Sequence, residues 1–167
     1  MNPNISIICK LIREYQKNNN ITDQCMTNTQ FLYTFIKNNF PNMDVHVKAV
    51  ICCADIGNDT IKNIIHLMIV VDGQYYEPSY DTYKLQGRKY FTTIKDLLEG
   101  FVPNTLIKDN LKEIVSPFLH FVDLEKRINN GEFLICDAEL YDNYIDCMDD
   151  FFTSLGATTI RVAELIN

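Results

Sequence analysis

Three residue types that together perform acyl chemistry occur in order along this chain. They are a cysteine in "TDQCMTNTQFLYTFI" (22–36), a histidine in "NIIHLMIVV" (63–71) and a glutamate in "QYYEPSYD" (74–81). Cys25 falls in the first turn of an expected helix, where unpaired N–H groups and the positive end of the dipole favour a thiolate over a thiol. The same N–H groups suit an oxyanion held near the sulfur. His66 is the lone polar residue of the eight-residue apolar run 64–71, sharing a face with Ile64, Met68 and Val70. Burying an unpartnered imidazole costs roughly 1–3 kcal/mol. A thiolate at one ring nitrogen and a carboxylate at the other would remove that cost. In such a set Cys25 attacks an amide or ester carbonyl. His66 holds the sulfur ionised and then protonates the leaving group, and Glu77 orients the ring. Positioned proton transfer of this kind contributes about 10²–10⁴ in rate. Singly, each residue has an ordinary explanation as a core thiol, a satisfied core histidine or a surface carboxylate. Their joint order and spacing favour a triad.

The carboxylate depends on a turn. If Asp72-Gly73 is a two-residue hairpin loop, Glu77 falls opposite Met68 and so shares a face with His66, as its diagonal neighbour. A loop one residue longer moves Glu77 to the other face. Asp81 is the reserve carboxylate. His46 lies on the polar face of "DVHVK" and is expected to be exposed. His120 is expected to be structural, and Cys52 and Cys53 to point to opposite sheet faces.

The elements that must position these residues follow from periodicity. Ile8, Leu11, Ile12 and Tyr15 mark a first helix. Thr22 or Asp23 can cap a second, with Phe31, Leu32, Phe35 and Ile36 as its stripe. "DVHVKAVICC", "NIIHLMIVV", "QYYEPSY" and "YKLQGRKYF" read as strands, with turns at "ADIGNDT" and at Asp72-Gly73. Thr92 or Thr93 can cap "IKDLLEGF". "NTLIKDNLKEIV" and "PFLHFVDLEKRI" read as two helices separated at Ser116-Pro117. A last helix carries Leu140, Tyr144, Cys147, Met148 and Phe151 on its core face and stops at Gly156, before a tail "TTIRVAELI". Segregated helices and strands imply an α+β fold. N-terminal helices would pack on a small antiparallel sheet, followed by a mainly helical C-terminal region. The expectation is a single domain over 1–167, with a catalytic core at 20–92 and a helical extension at 93–167.

A helix-starting cysteine, a strand histidine and a "DG-x-x-x-[D/E]-P-[S/T]" return strand resemble the transglutaminase-like superfamily of papain-fold cysteine enzymes. The resemblance covers about residues 20–82. It implies a papain/transglutaminase-like core, with Cys25 like the nucleophile, His66 like the strand histidine, and Glu77 like the aspartate of the "DPT" motif. Asp23 and Met26 flank the cysteine where relatives often carry glycine and tryptophan, and Met68 replaces an aromatic residue. The chain has no tryptophan, so an indole oxyanion donor is missing. The resemblance therefore implies a thiol hydrolase, such as a cysteine protease, or another acyltransferase rather than a crosslinking enzyme. Gln24, Gln16 and Asn20 are the side-chain oxyanion candidates, and the residues do not choose among them.

Composition bounds the rest. The chain has 167 residues, 47% hydrophobic and 22% charged, with a net charge of -7. An acidic chain without a basic stripe is unsuited to nucleic acid. The run 136–150 is expected to be a solvated helix face. No segment reaches the ~18 apolar residues of a membrane span. "MNPNISIICK" lacks a secretory signal pattern, so the expectation is a cytoplasmic protein with reduced thiols. The six cysteines form no C-x-x-C pair, and neither a metal nor a cofactor is expected. The expected partner is a protein or peptide substrate. The alternative is a catalytically inactive interaction or structural protein on the same core. The Asn- and Ile-rich composition of an A/T-rich genome suits a large DNA virus or an A/T-rich protist; if viral, the setting is the host cell.

Overall fold

The computed structural model describes residues 2–58, 60–100 and 111–154. They form an α+β fold with a four-stranded antiparallel sheet, in the order β3-β2-β1-β4. The strands are β1 (Val45–Asp55), β2 (Ile61–Val71), β3 (Gln74–Tyr76) and β4 (Lys89–Phe91). Helices α1 (Pro3–Asn18) and α2 (Cys25–Asn39) precede the sheet, and the short α3 (Tyr80–Tyr83) follows β3. After β4 come α4 (Ile94–Gly100), α5 (Leu111–Asn129) and α6 (Ala138–Ser154). Among the described residues, no helix is long and apolar enough to cross a membrane. The chain divides into two compact units. One holds the described residues of 1–47, 68–83 and 133–167, and the other those of 48–67 and 84–132.

In the first unit, the Asn2 side chain caps α1 by accepting from the N–H groups of Asn4 and Ile5. Ile5, Ile8, Cys9, Ile12 and Gln16 of α1 are buried, while Leu11 and Tyr15 lie at the margin of the stripe. On α2, Phe31, Leu32 and Ile36 are buried. Phe31 meets the rings of Tyr141 and Tyr144 from α6 with centroids 5.6 and 5.3 Å apart, and Tyr15 stands edge-on to Tyr144. Leu140, Tyr144 and Met148 form the buried face of α6, as expected, with Cys147 and Phe151 half-buried. The acidic residues Glu139, Asp142, Asp146, Asp149 and Asp150 are exposed.

The β2–β3 hairpin turns on Asp72 (φ 48°) and Gly73 (φ 81°). Two successive positive φ values are the signature of a two-residue turn that matches strand twist. The pairs are Ile69↔Tyr76, Val70↔Tyr75 and Val71↔Gln74, so the loop is even. Asp72 is also tied to the start of β1. Its N–H donates to the Asp44 carbonyl at 2.8 Å, and its Oδ1 accepts from the Asp44 N–H at 2.9 Å.

In the second unit, β1 pairs with β4 through Ile51↔Phe91, Cys52↔Tyr90 and Cys53↔Lys89. Glu125 of α5 holds β1, accepting from the Ala49 N–H at 2.8 Å with the Lys48 ammonium 3.6 Å away. Thr93 caps α4 by accepting from the Asp96 N–H.

Some local expectations need correction. Thr22 and Asp23 do not cap α2: Asp23 adopts a left-handed φ of 58°, and Gln24 occupies the cap position without a side-chain hydrogen bond to the helix backbone. The helix therefore begins on Cys25 itself. Ser116-Pro117 does not mark a break between helices, because Pro117 lies inside α5. Ile114, Phe118, Leu124 and Ile128 keep one buried face in phase across it. Burial of that stripe outweighs the one backbone bond that proline removes. His46 is half-buried, and His120 is exposed on α5. Gly156 and "TTIRVAELI" lie outside the described residues.

Candidate functional site

Cys25 is the first residue of α2 and is half-exposed. The first N–H groups of a helix have no intrahelical partner, so sulfur and helix end share one location. The thiols of Cys9, Cys53, Cys136 and Cys147 are all pushed upward by burial, Cys9 to about 12 and Cys53 to about 11. A raised pKa keeps those sulfurs protonated and poorly nucleophilic at neutral pH. Cys52 is fully buried.

Glu77 follows β3 directly and is 6% exposed. Its Oε1 accepts from the Ser79 N–H at 3.0 Å, and its backbone carbonyl accepts from the Arg13 guanidinium at 2.7 Å. That guanidinium also sits 3.9 Å over the Tyr83 ring. The Glu77 carboxylate adds to the upward push on Cys9, and Arg13 opposes it. His66 lies in β2 and is 2% exposed. It belongs to the second unit, whereas Cys25 and Glu77 belong to the first.

Within the first unit, the start of α2 and the segment 77–81 are tied together. The Asn28 amide donates to Ser79 Oγ at 2.9 Å, and Asn28 Oδ1 accepts from the Tyr144 hydroxyl. The Asp23 N–H donates to Asp81 Oδ2 at 3.1 Å. Asp81, the reserve carboxylate, thus closes the loop leading into Cys25. Gln16, fully buried, donates to the Pro78 carbonyl at 2.8 Å and accepts from the Tyr80 N–H at 2.8 Å. A primary amide here imitates a backbone pairing and fixes the residues on both sides of Ser79. Thr27, Asn28, Thr29 and Gln30 are all buried, so every face of this stretch of α2 is packed although none of the four is apolar. Buried polar groups of this kind persist only when bonded.

Of the oxyanion candidates, Gln24 precedes Cys25 and accepts from the Thr27 hydroxyl at 2.9 Å. Asn20 is exposed in the turn after α1 with a left-handed φ of 53°. Gln16 spends amide hydrogen bonds on Pro78 and Tyr80. Sequence reasoning missed Asn28, Ser79 and Arg13, and read Tyr144 only as a core residue. The available signal was polar residues at core-facing positions of α2, where "TNTQ" interrupts the hydrophobic pattern. Among the described residues, no cluster of side chains suited to a metal occurs. Comparison with family models, curated proteins and solved structures finds no match to this chain.

Proposed function

We propose that the chain is a cysteine-dependent hydrolase or acyltransferase acting on an amide bond of a protein or peptide, on a papain/transglutaminase-like core. Cys25 is the nucleophile, His66 the proton carrier and Glu77 the residue that orients the imidazole. The thiolate attacks the carbonyl carbon, the C–N bond breaks, and the departing amine takes its proton from the imidazolium. Water or a second amine then displaces sulfur from the thioacyl intermediate, giving a proton back to the ring. The cytoplasm, where thiols stay reduced, suits such a nucleophile.

The observation that carries this reading is the even hairpin. Its pairs sum to one constant; β3 ends at Tyr76, and the same register carried one residue further would set Glu77 against Met68. Met68 shares a strand face with His66, two residues earlier on the same unbroken strand. The start of α2 on Cys25 supports it independently.

Alkylation tests it. Iodoacetamide near neutral pH is expected to modify Cys25 ahead of the other five thiols, as read by mass spectrometry of each cysteine peptide. His66→Gln is expected to slow that step about a hundredfold or more, the low end of what a positioned base contributes. Equal, slow labelling of all six cysteines, or a Cys25 rate indifferent to His66→Gln, sinks the reading.

A further inference from the structure

Between α5 and α6 the chain passes through "GEFLICD" (131–137), and its exposed apolar side chains are out of place on an ordinary loop. Phe133 is 60% exposed and Ile135 is 93% exposed, whereas Leu134 between them is 8% exposed. Both backbone groups of Leu134 go to one side chain. Its N–H donates to Gln30 Oε1 at 2.8 Å, and its carbonyl accepts from Gln30 Nε2 at 3.4 Å. An N–H and a C=O of one residue point to the same side only when the chain is extended, and the neighbouring residues then point theirs to the opposite side. The backbone groups of Phe133 and Ile135 make no hydrogen bond to another described residue. The chain is therefore extended at Leu134 and bonded on one side only. Its inner edge is taken by Gln30 and its outer edge is open, the arrangement that accepts an added strand.

This edge leads toward the nucleophile. Leu134 sits beside Gln30, and three residues later the Asp137 N–H donates to Thr27 Oγ1 at 3.1 Å. The segment thus runs against the direction of α2, from its second turn to its first, the turn that opens on Cys25. Alongside lies a cavity of about 380 Å³, walled by Phe133, Leu134, Ile135, Cys136, Tyr141 and Asp142 among others. Its wall is mostly apolar and includes Asp142, and Glu139 and Asp146 share the Asp142 face of α6 at helical spacing. From 133 to 154 the chain carries six carboxylates and neither lysine nor arginine. An apolar slot rimmed by uncompensated negative charge fits an extended segment that alternates apolar and cationic side chains.

We propose that the outer edge of residues 133–135, with the adjoining cavity, docks the main chain of an extended apolar–basic peptide and delivers it to Cys25 as the acyl substrate. The inference deepens the acyl-transfer reading and rests on it for the fate of the bound peptide, but not for binding itself. Main-chain bonds to Phe133 and Ile135 give affinity, the cavity takes an apolar side chain, and Asp142 selects lysine or arginine.

Binding is measured by fluorescence polarisation with the full chain carrying Cys25→Ala, so that the result does not depend on catalysis. The probes are a fluorescein-labelled hexapeptide of alternating valine and lysine and its valine–glutamate counterpart, at ~0.15 M salt to screen distant charge. The lysine probe is expected to bind saturably and at least ~10-fold more tightly than the glutamate probe. Asp142→Lys, a surface change, is expected to erase or invert that preference. Ile135→Pro removes an edge N–H and is expected to weaken the lysine probe about tenfold. No saturable binding, or the same preference in the parent and Asp142→Lys, overturns the proposal. Self-association that competes with the probe and is abolished by Ile135→Pro also overturns it, showing that a second copy occupies the edge. If Cys25 alkylation fails its own test while these binding differences hold, only the catalytic reading falls.

Discussion

At the scale of single residues, the first unit is held by side chains that replace backbone. Gln16 satisfies Pro78 and Tyr80, and Gln30 satisfies both groups of Leu134. Asn28 joins Ser79 to Tyr144. A buried amide in that position has no apolar substitute, because removing it takes one partner from the Ser79 hydroxyl and one from the Tyr144 hydroxyl. Asn28→Ala is expected to cost about 2–4 kcal/mol, read as a shift in the urea midpoint at unchanged slope. A loss under about 0.5 kcal/mol would mean that water replaces the amide at no cost. None of these contacts was visible in the sequence. Asn28 is 51 residues from Ser79 and 116 from Tyr144, and a hydrogen bond over such a separation leaves no local pattern. Cys25 was legible because a helix start is a local event, although the cap was assigned to Thr22 or Asp23 and the helix opens later, on Cys25 itself.

At the scale of elements, the hairpin and α5 make opposite points about local signals. Asp72-Gly73 specifies its turn almost alone, since both positions need positive φ and both residues supply it at low cost. In the proposed site, its parity decides which face Glu77 joins. Inserting one glycine between Asp72 and Gly73 is expected to abolish the alkylation advantage of Cys25 while circular dichroism keeps its helical signal. Retained selective labelling would show that Glu77 does not act through this register. Pro117 is the contrary case, a strong local stop signal that the helix overrides. Its ring removes the bond to the carbonyl four residues earlier. Ser116 and Pro117 are exposed, so Pro117→Ala changes little packing. That substitution is expected to raise stability by roughly 1–3 kcal/mol, visible as a higher thermal midpoint. An unchanged midpoint would mean that the helix already relaxes around the ring. Sequence reasoning split α5 because proline acts locally, while the stripe that rescues the helix acts through burial.

At the scale of the whole chain, the α+β class follows from periodicity, but the division into two units does not. Strands β1 and β2 each pass from one unit to the other without a break in pattern, and there is no linker to read. Burial of thiols in both units gives a common consequence for stability. Cys9 in the first unit is raised from 9.0 to about 12, and Cys53 in the second from 9.0 to about 11, each mainly by loss of solvent. Below pH 9 both thiols are protonated, folded or unfolded, and their contribution to stability is fully present. Above it the unfolded chain releases protons that the folded chain keeps, so stability falls as pH rises toward the folded values. Burial raises the Tyr76 and Tyr144 hydroxyls in the same sense. Urea unfolding followed from about pH 8 to about pH 11 is therefore expected to show a steady alkaline loss. Cys9→Ala and Cys53→Ala are each expected to make that loss shallower, Cys9→Ala over the wider range. A parent curve flat over this range, or variants that keep the parent slope, would show that these thiols meet solvent before the chain unfolds.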